Sequence, residues 1–151
     1  MKNNNYTLTF KTDQSPEQVF TTIMNVRSWW SGLYEEEFTG ASDKAGDEFT
    51  FRAGGGAHYS KQKLVELVPY KKIVWEVTES RLSFIDKPDE WTGSKLVFNI
   101  SPKGDHTEIT FTHEGLTPEV ECYDVCAPTW MTYLQNKLLP LITKNLGATV
   151  N

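Results

Sequence analysis

The stretch from Pro128 to Leu146 constrains the fold more than any other part of the chain. Trp130, Leu134, Leu138, Leu141 and Ile142 recur at helical spacing, with Leu146 one turn further on. Lys144 in the last turn and Gly147 just after it form a helix stop. Before this helix nearly every apolar pattern is the alternation of a strand. A single long helix with one apolar face must bury that face against the sheet those strands build. The expected class is therefore α+β: a curved antiparallel sheet of about six strands closed by one long C-terminal helix.

The rest of the chain supplies the sheet. Tyr6, Leu8 and Phe10 alternate on one face of a first strand. Ser15 followed by Pro16 starts a short helix, with serine as N-cap and proline where its missing N–H costs nothing. Val19, Phe20, Ile23 and Met24 form its apolar stripe, and a second short helix or irregular piece follows through Trp29 and Trp30 to Tyr34. Glu35-Glu-Glu37 reads as a solvated edge. Phe49 and Phe51 then alternate inward, and the glycines at 54, 55 and 56 form a hairpin turn. They lack the Lys-Ser/Thr ending of a phosphate loop and join two strands rather than a strand and a helix. The next strand runs to Val68, where Leu64 to Val68 is apolar on both faces and predicts a bulge. Ile73, Trp75 and Val77 point inward, as do Leu96, Phe98 and Ile100, and then Ile109, Phe111 and His113. Arg81 to Thr92 is a looser stretch that reads as either a wide loop or a strand extension. Short turns between neighbouring strands give a meander.

At 151 residues with no linker, repeat or low-complexity segment, one domain over 1–151 is expected. A net charge of -5 with scattered basic residues excludes a nucleic-acid footprint. No apolar run approaches the roughly 20 residues that span a bilayer, and the first ten residues lack the order of a secretory signal, so a cytoplasmic protein is expected. Cys122 and Cys126, four apart, are read as partly buried free thiols.

Chemistry-bearing patterns are sparse. No G-x-S-x-G, H-E-x-x-H or G-x-G-x-x-G is present, and the two cysteines have nothing to complete a zinc site, so neither a metal nor a cofactor is expected. No catalytic residue is assigned. His113 is the single polar candidate, because its alternation with Phe111 and Ile109 aims it at the helix, where a neutral imidazole orients a ligand or acts as a base; the alternative, which the pattern favours, is a structural histidine at a strand end, hydrogen-bonded to backbone. His58 and His106 fall in or near turns and are expected in solvent. Phe51, Tyr59, Trp75, Phe98, Phe111, Trp130 and Leu134 either fill the core or, with His113, line a ligand pocket between sheet and helix. Arg52 and Arg81 fit a surface role better than a pocket mouth. Pro140 removes one helix hydrogen bond and predicts a bend near Asn136.

Several of these pieces together resemble a known family. They are Ser15-Pro16-Glu17-Gln18-Val19-Phe20 after the first strand, Trp29-Trp30, and Gly46-Asp-Glu-Phe-Thr-Phe51. With them go Glu66-Leu-Val-Pro69, Ile73-Val-Trp75, the turn from Trp91 to Leu96, Thr107 to Gly115, and Trp130 with Leu134. In this order they resemble the START-like helix-grip superfamily (SRPBCC, the birch-pollen-allergen-like fold). Within it they are similar to bacterial homologues of the activator of heat shock protein 90 ATPase. The resemblance implies a sheet gripping the last helix around a small apolar or amphipathic ligand, in a monomer or homodimer. It leaves two alternatives, a cyclase or hydratase using His113 as base in the same cavity and a co-chaperone-like interaction module. The eukaryotic co-chaperones of this group carry an additional N-terminal domain for which 151 residues have no room, so a chaperone partner is the weaker implication.

Overall fold

The structure is a computed structural model that describes residues 5–31 and 33–143. Lys144, Leu146 and Gly147, assigned above to the helix end and its stop, lie outside the described residues. Strand β1 (Tyr6–Thr12) leads into α1 (Pro16–Met24) and α2 (Val26–Trp29). Six strands follow: β2 (Glu37–Gly40), β3 (Glu48–Ala53), β4 (His58–Val68), β5 (Lys72–Leu82), β6 (Lys95–Pro102) and β7 (Thr107–Glu114). Helix α3 begins at Tyr123 and continues helically to 143.

All seven strands pair antiparallel in one curved sheet, ordered β1-β7-β6-β5-β4-β3-β2. The seventh strand is β2, which begins at Glu37, the last residue of the stretch read from sequence as a solvated charged edge. Only Phe38 of β2 packs on the core, too little alternation to announce a strand. The expected bulge appears as a register shift between Leu64 and Glu66. A second shift, where Gln62 pairs with Val77 while Lys61 pairs with Glu79, lets Ser80 and Leu82 face inward like Val77 and Trp75.

Ser15 caps α1 by accepting a 3.1 Å hydrogen bond from the Gln18 N–H. Val19, Thr22 and Ile23 turn inward, and Trp29 fixes α2 against α1 by donating from Nε1 to the Ile23 carbonyl at 2.9 Å. Trp29, Trp75, Phe98, Ile109, Phe111 and Leu134 then pack a dry core between the concave face and the last helix. Trp75 satisfies its indole N–H on Ser42 Oγ at 2.8 Å.

Helix α3 starts five residues before Pro128, which sits inside it rather than at its first turn. Past Thr132 the turns widen to a π-helical segment, Tyr133–Leu138, where the Leu139 N–H reaches the Leu134 carbonyl. The wide turns stand just before Pro140, which has no N–H to offer the Asn136 carbonyl, so the departure from a regular α-helix takes this form. The free-thiol expectation is corrected. The Cys126 N–H bonds the Cys122 carbonyl at 2.7 Å, which puts both sulfurs on one face with Cα atoms 5.6 Å apart, and they are joined as a disulfide.

Candidate functional site

A cavity of about 300 Å³ opens at one end of the grip, between α3, the β3–β4 hairpin and the loop from 83 to 94. It exists because small residues, Ala53, Gly54 and Ala57, occupy the hairpin where bulkier ones would fill the space. Gly54, Gly55 and Gly56 all have positive φ (63°, 71° and 101°), a turn that side chains with a Cβ resist. The walls are aromatic. Trp30 stacks on Phe51 at 4.1 Å and lies 5.1 Å from Trp130, and Trp130 is parallel to Trp91 at 6.0 Å. His58, Cys126, Thr129 and Tyr133 complete the lining, and Tyr34, Phe84 and Val125 form the mouth. These three are apolar and exposed by 52%, 44% and 53%, which is unusual for residues grouped at one opening.

Two sets of carboxylates hold the mouth. Glu90 accepts from the N–H groups of Glu121 and Cys122 (2.7 and 2.8 Å) just ahead of α3. Glu121 reciprocates by accepting from the N–H groups of Asp86 and Lys87. This clasp pins the aperiodic 83–94 loop, so Trp91 is buried while Phe84 stays out. On the other side, Tyr133 donates to Glu36 Oε2 at 2.6 Å, and the same carboxylate accepts from the Leu33 and Tyr34 N–H groups. Burial works to raise the Glu36 carboxyl, but these hydrogen bonds outweigh it and hold it below its ordinary range. Burial, with the Glu36 charge beside it, pushes the Tyr133 phenol far up, so it stays protonated.

Of the residues singled out from sequence, Phe51 and Trp130 line the cavity. Trp75, Phe98, Phe111 and Leu134 belong to the dry core. Tyr59, expected at the pocket, points to the opposite face, where its hydroxyl donates to Glu79 at 2.9 Å and its ring lies between the Arg52 and Arg81 guanidiniums. The glycine turn sets the parity of β4 so that His58 takes the inward position instead. His58, expected in solvent, is thus corrected to a packed ring, 5.2 Å from Phe51 and 4.6 Å from Trp91. Burial drives its pKa down to about 4, so the ring is neutral.

His113 is buried behind the cavity, and its hydrogens can be assigned. The Trp130 indole can only donate, so it gives its proton to His113 Nδ1 at 3.0 Å. Burial first, and then the proximity of His58, drop the His113 pKa to about 3, so the ring is neutral and its one hydrogen is on Nε2. That hydrogen goes to Ser94 Oγ at 2.9 Å, and the Ser94 hydroxyl goes to the Trp91 carbonyl at 2.6 Å. The chain Trp130–His113–Ser94–Trp91 therefore closes with both imidazole nitrogens occupied. Gly115 permits it, since a Cβ there would stand 2.9 Å from Ser94 Cβ. Phe51 and Trp130 are the two lining residues that the sequence singled out for a pocket; Trp30, Trp91, Tyr133 and His58 are among the aromatic ones that it did not.

Among the described residues there is no group of three or more histidine, cysteine or acidic side chains able to hold a metal, and no helix is long and apolar enough to cross a membrane. No curated protein matches the sequence. Among solved structures the chain is similar to the Aha1 dimer of Colwellia psychrerythraea, at 20% identity and a TM-score of 0.68 over 87% of this chain and 91% of that one. It is also similar to a Chromobacterium violaceum protein, at 17% identity and a TM-score of 0.69 over 93% and 97% of the two chains. A Rhizobium loti protein matches at 20% identity and a TM-score of 0.69 over 91% and 95%. At these identities the structures speak for the shared fold, and the sequence profile of one family extends the match over residues 13–141. A seven-stranded grip on a C-terminal helix, matched in profile over most of its length, places the chain in the family described as Activator of Hsp90 ATPase homolog 1-like protein.

Proposed function

We propose that this protein binds a small, uncharged, largely apolar molecule in the tryptophan-walled cavity, without catalysing a reaction on it. The observation that carries this reading is the lining. Trp30, Trp91, Trp130 and Phe51 enclose about 300 Å³, at the lower end of the usual size for ligand pockets, and no lysine, arginine, aspartate or glutamate is among the lining residues. Burial of aromatic surface is the main interaction such a site offers. An enzyme using His113 as base has less support, because both of its nitrogens are engaged and it stands behind the wall. The exposed trio Tyr34, Phe84 and Val125 favours a second reading, in which the mouth docks an apolar segment of another protein. The family description and the Aha1 dimer among the similar structures are in keeping with that reading.

Native mass spectrometry of freshly purified protein, with a thermal-shift screen of neutral aromatic compounds, tests the proposal. A retained molecule of a few hundred daltons, or a concentration-dependent rise in Tm, is the expected result. Absence of both, with an apolar peptide binding instead, sinks it in favour of the second reading.

A further inference from the structure

The inward face of β4 is anomalous. On a concave surface built mostly from apolar side chains, successive inward positions of this strand are His58, Ser60, Gln62 and Leu64. Ser60 and Gln62 have no exposed surface. Yet Ser60 Oγ, both Gln62 amide atoms and His58 Nε2 have no hydrogen-bond partner among the described residues. Their cross-strand neighbours explain why. Gln62 stands between Phe49 and Val77, neither of which offers a polar side-chain atom, and Ser60 stands between Phe51 and Ser80, whose hydroxyl is paired with that of Thr92 at 2.9 Å. Native proteins leave few buried polar atoms unmatched, and three in a row on one strand face call for a partner.

The row begins in the cavity wall and runs away from it. His58 and Phe51 both line the cavity, and Ser60 is the register partner of Phe51. Inward positions on a strand are about 7 Å apart, so Ser60 lies one step beyond the wall and Gln62 two. Phe51 closes this side by stacking on Trp30, so the movement that admits a ligand atom to Ser60 is a displacement of that stack. The three side chains are neutral. A serine hydroxyl and a primary amide each donate and accept, and an imidazole nitrogen does one or the other, so they match hydroxyl and carbonyl oxygens. Nothing on the row or in the cavity lining would compensate a buried carboxylate or ammonium.

We propose that His58, Ser60 and Gln62 form a hydrogen-bonding track for the oxygens of an uncharged, hydroxyl- or carbonyl-bearing aromatic molecule whose rings occupy the tryptophan cavity. This rests on the cavity being a binding site. It adds the class of ligand and the residues that select it.

Biphenyl and 4-hydroxybiphenyl form a suitable pair of probes, and calorimetric titration of each into the wild-type protein, Gln62→Met and Ser60→Ala tests the track. Methionine keeps the length of glutamine without its polar atoms, and a thermal melt of each variant checks folding. The wild type should bind 4-hydroxybiphenyl at least about tenfold more tightly than biphenyl, as expected where a site is built to hydrogen-bond an oxygen. Both variants should fold and bring that ratio close to one, with biphenyl affinity retained. If the wild type binds both probes equally, or if Gln62→Met leaves the ratio unchanged and lowers Tm, the track is overturned and the amide serves only structure, while the cavity reading stands. If neither probe binds, the cavity reading falls and takes the track with it.

Discussion

Trp91 has a histidine ring perpendicular to it on either flank, His113 at 4.7 Å and His58 at 4.6 Å, and the two sit in opposite kinds of polar surroundings. On the His113 side, every donor in the chain from Trp130 to the Trp91 carbonyl has an acceptor. On the His58 side, three consecutive inward positions carry unmatched polar atoms: His58 Nε2, Ser60 Oγ and the Gln62 amide. The first arrangement locks the helix to β7 and the 83–94 loop. The second gives up stability next to a cavity, which is where a protein that handles a ligand is expected to break the rules of packing. The same residue type has a structural role on one flank and an unfilled capacity on the other. Satisfaction of hydrogen bonds tells the two apart; residue identity does not.

Breaking the closed side should cost most. His113→Leu strands the Trp130 indole N–H in the core and takes from Ser94 Oγ the hydrogen bond it accepts, and about 3 kcal/mol of stability should be lost in urea unfolding. A loss below about 1 kcal/mol would mean that the chain is not the lock described here.

Acidification tests both sides together. The unfolded chain takes up protons on these histidines near pH 6.5, whereas folded His58 and His113 refuse them until about pH 4 and pH 3. The unfolded state therefore binds more protons below pH 6.5, and stability must fall with pH across that window. Between pH 7 and pH 5 the loss should be roughly 2 kcal/mol per histidine, less for His58, which keeps a partly exposed edge. A Tm that is flat from pH 7 to 5 would show that the rings are not held neutral.

The open side predicts a smaller effect of opposite sign. Gln62→Met removes an unmatched amide at nearly constant volume, so the protein should gain about 1 kcal/mol. Denaturant midpoints read this directly, and a destabilised variant would count against the contrast between the flanks.

Much of the fold was legible because strand parity is a period of two that neighbouring residues report. Phe49 and Phe51, or Ile109 and Phe111, need nothing distant to show which way they face. The site was harder to see for physical reasons. A turn of three glycines carries no side-chain pattern, so whether Tyr59 or His58 faces inward depended on its conformation. Trp91 is fixed by carboxylates of Glu90 and Glu121 acting on backbone groups more than 30 residues away, contacts that leave no local periodicity. The early start of α3 was hidden because Pro128 resembles a first-turn proline, while the turn before it is held by Glu90 and the Cys122–Cys126 pair.

The central claim is that the tryptophan cavity holds a neutral apolar molecule, and tryptophan emission reports on it directly, because Trp30, Trp91 and Trp130 all line the space. Titration with biphenyl should give a saturable change in emission for the wild type. Val125→Glu, which places a charge at the exposed mouth without touching the core, should weaken binding at least about tenfold with Tm unchanged. No saturable change in the wild type, or equal affinity in the two proteins, would contradict the account.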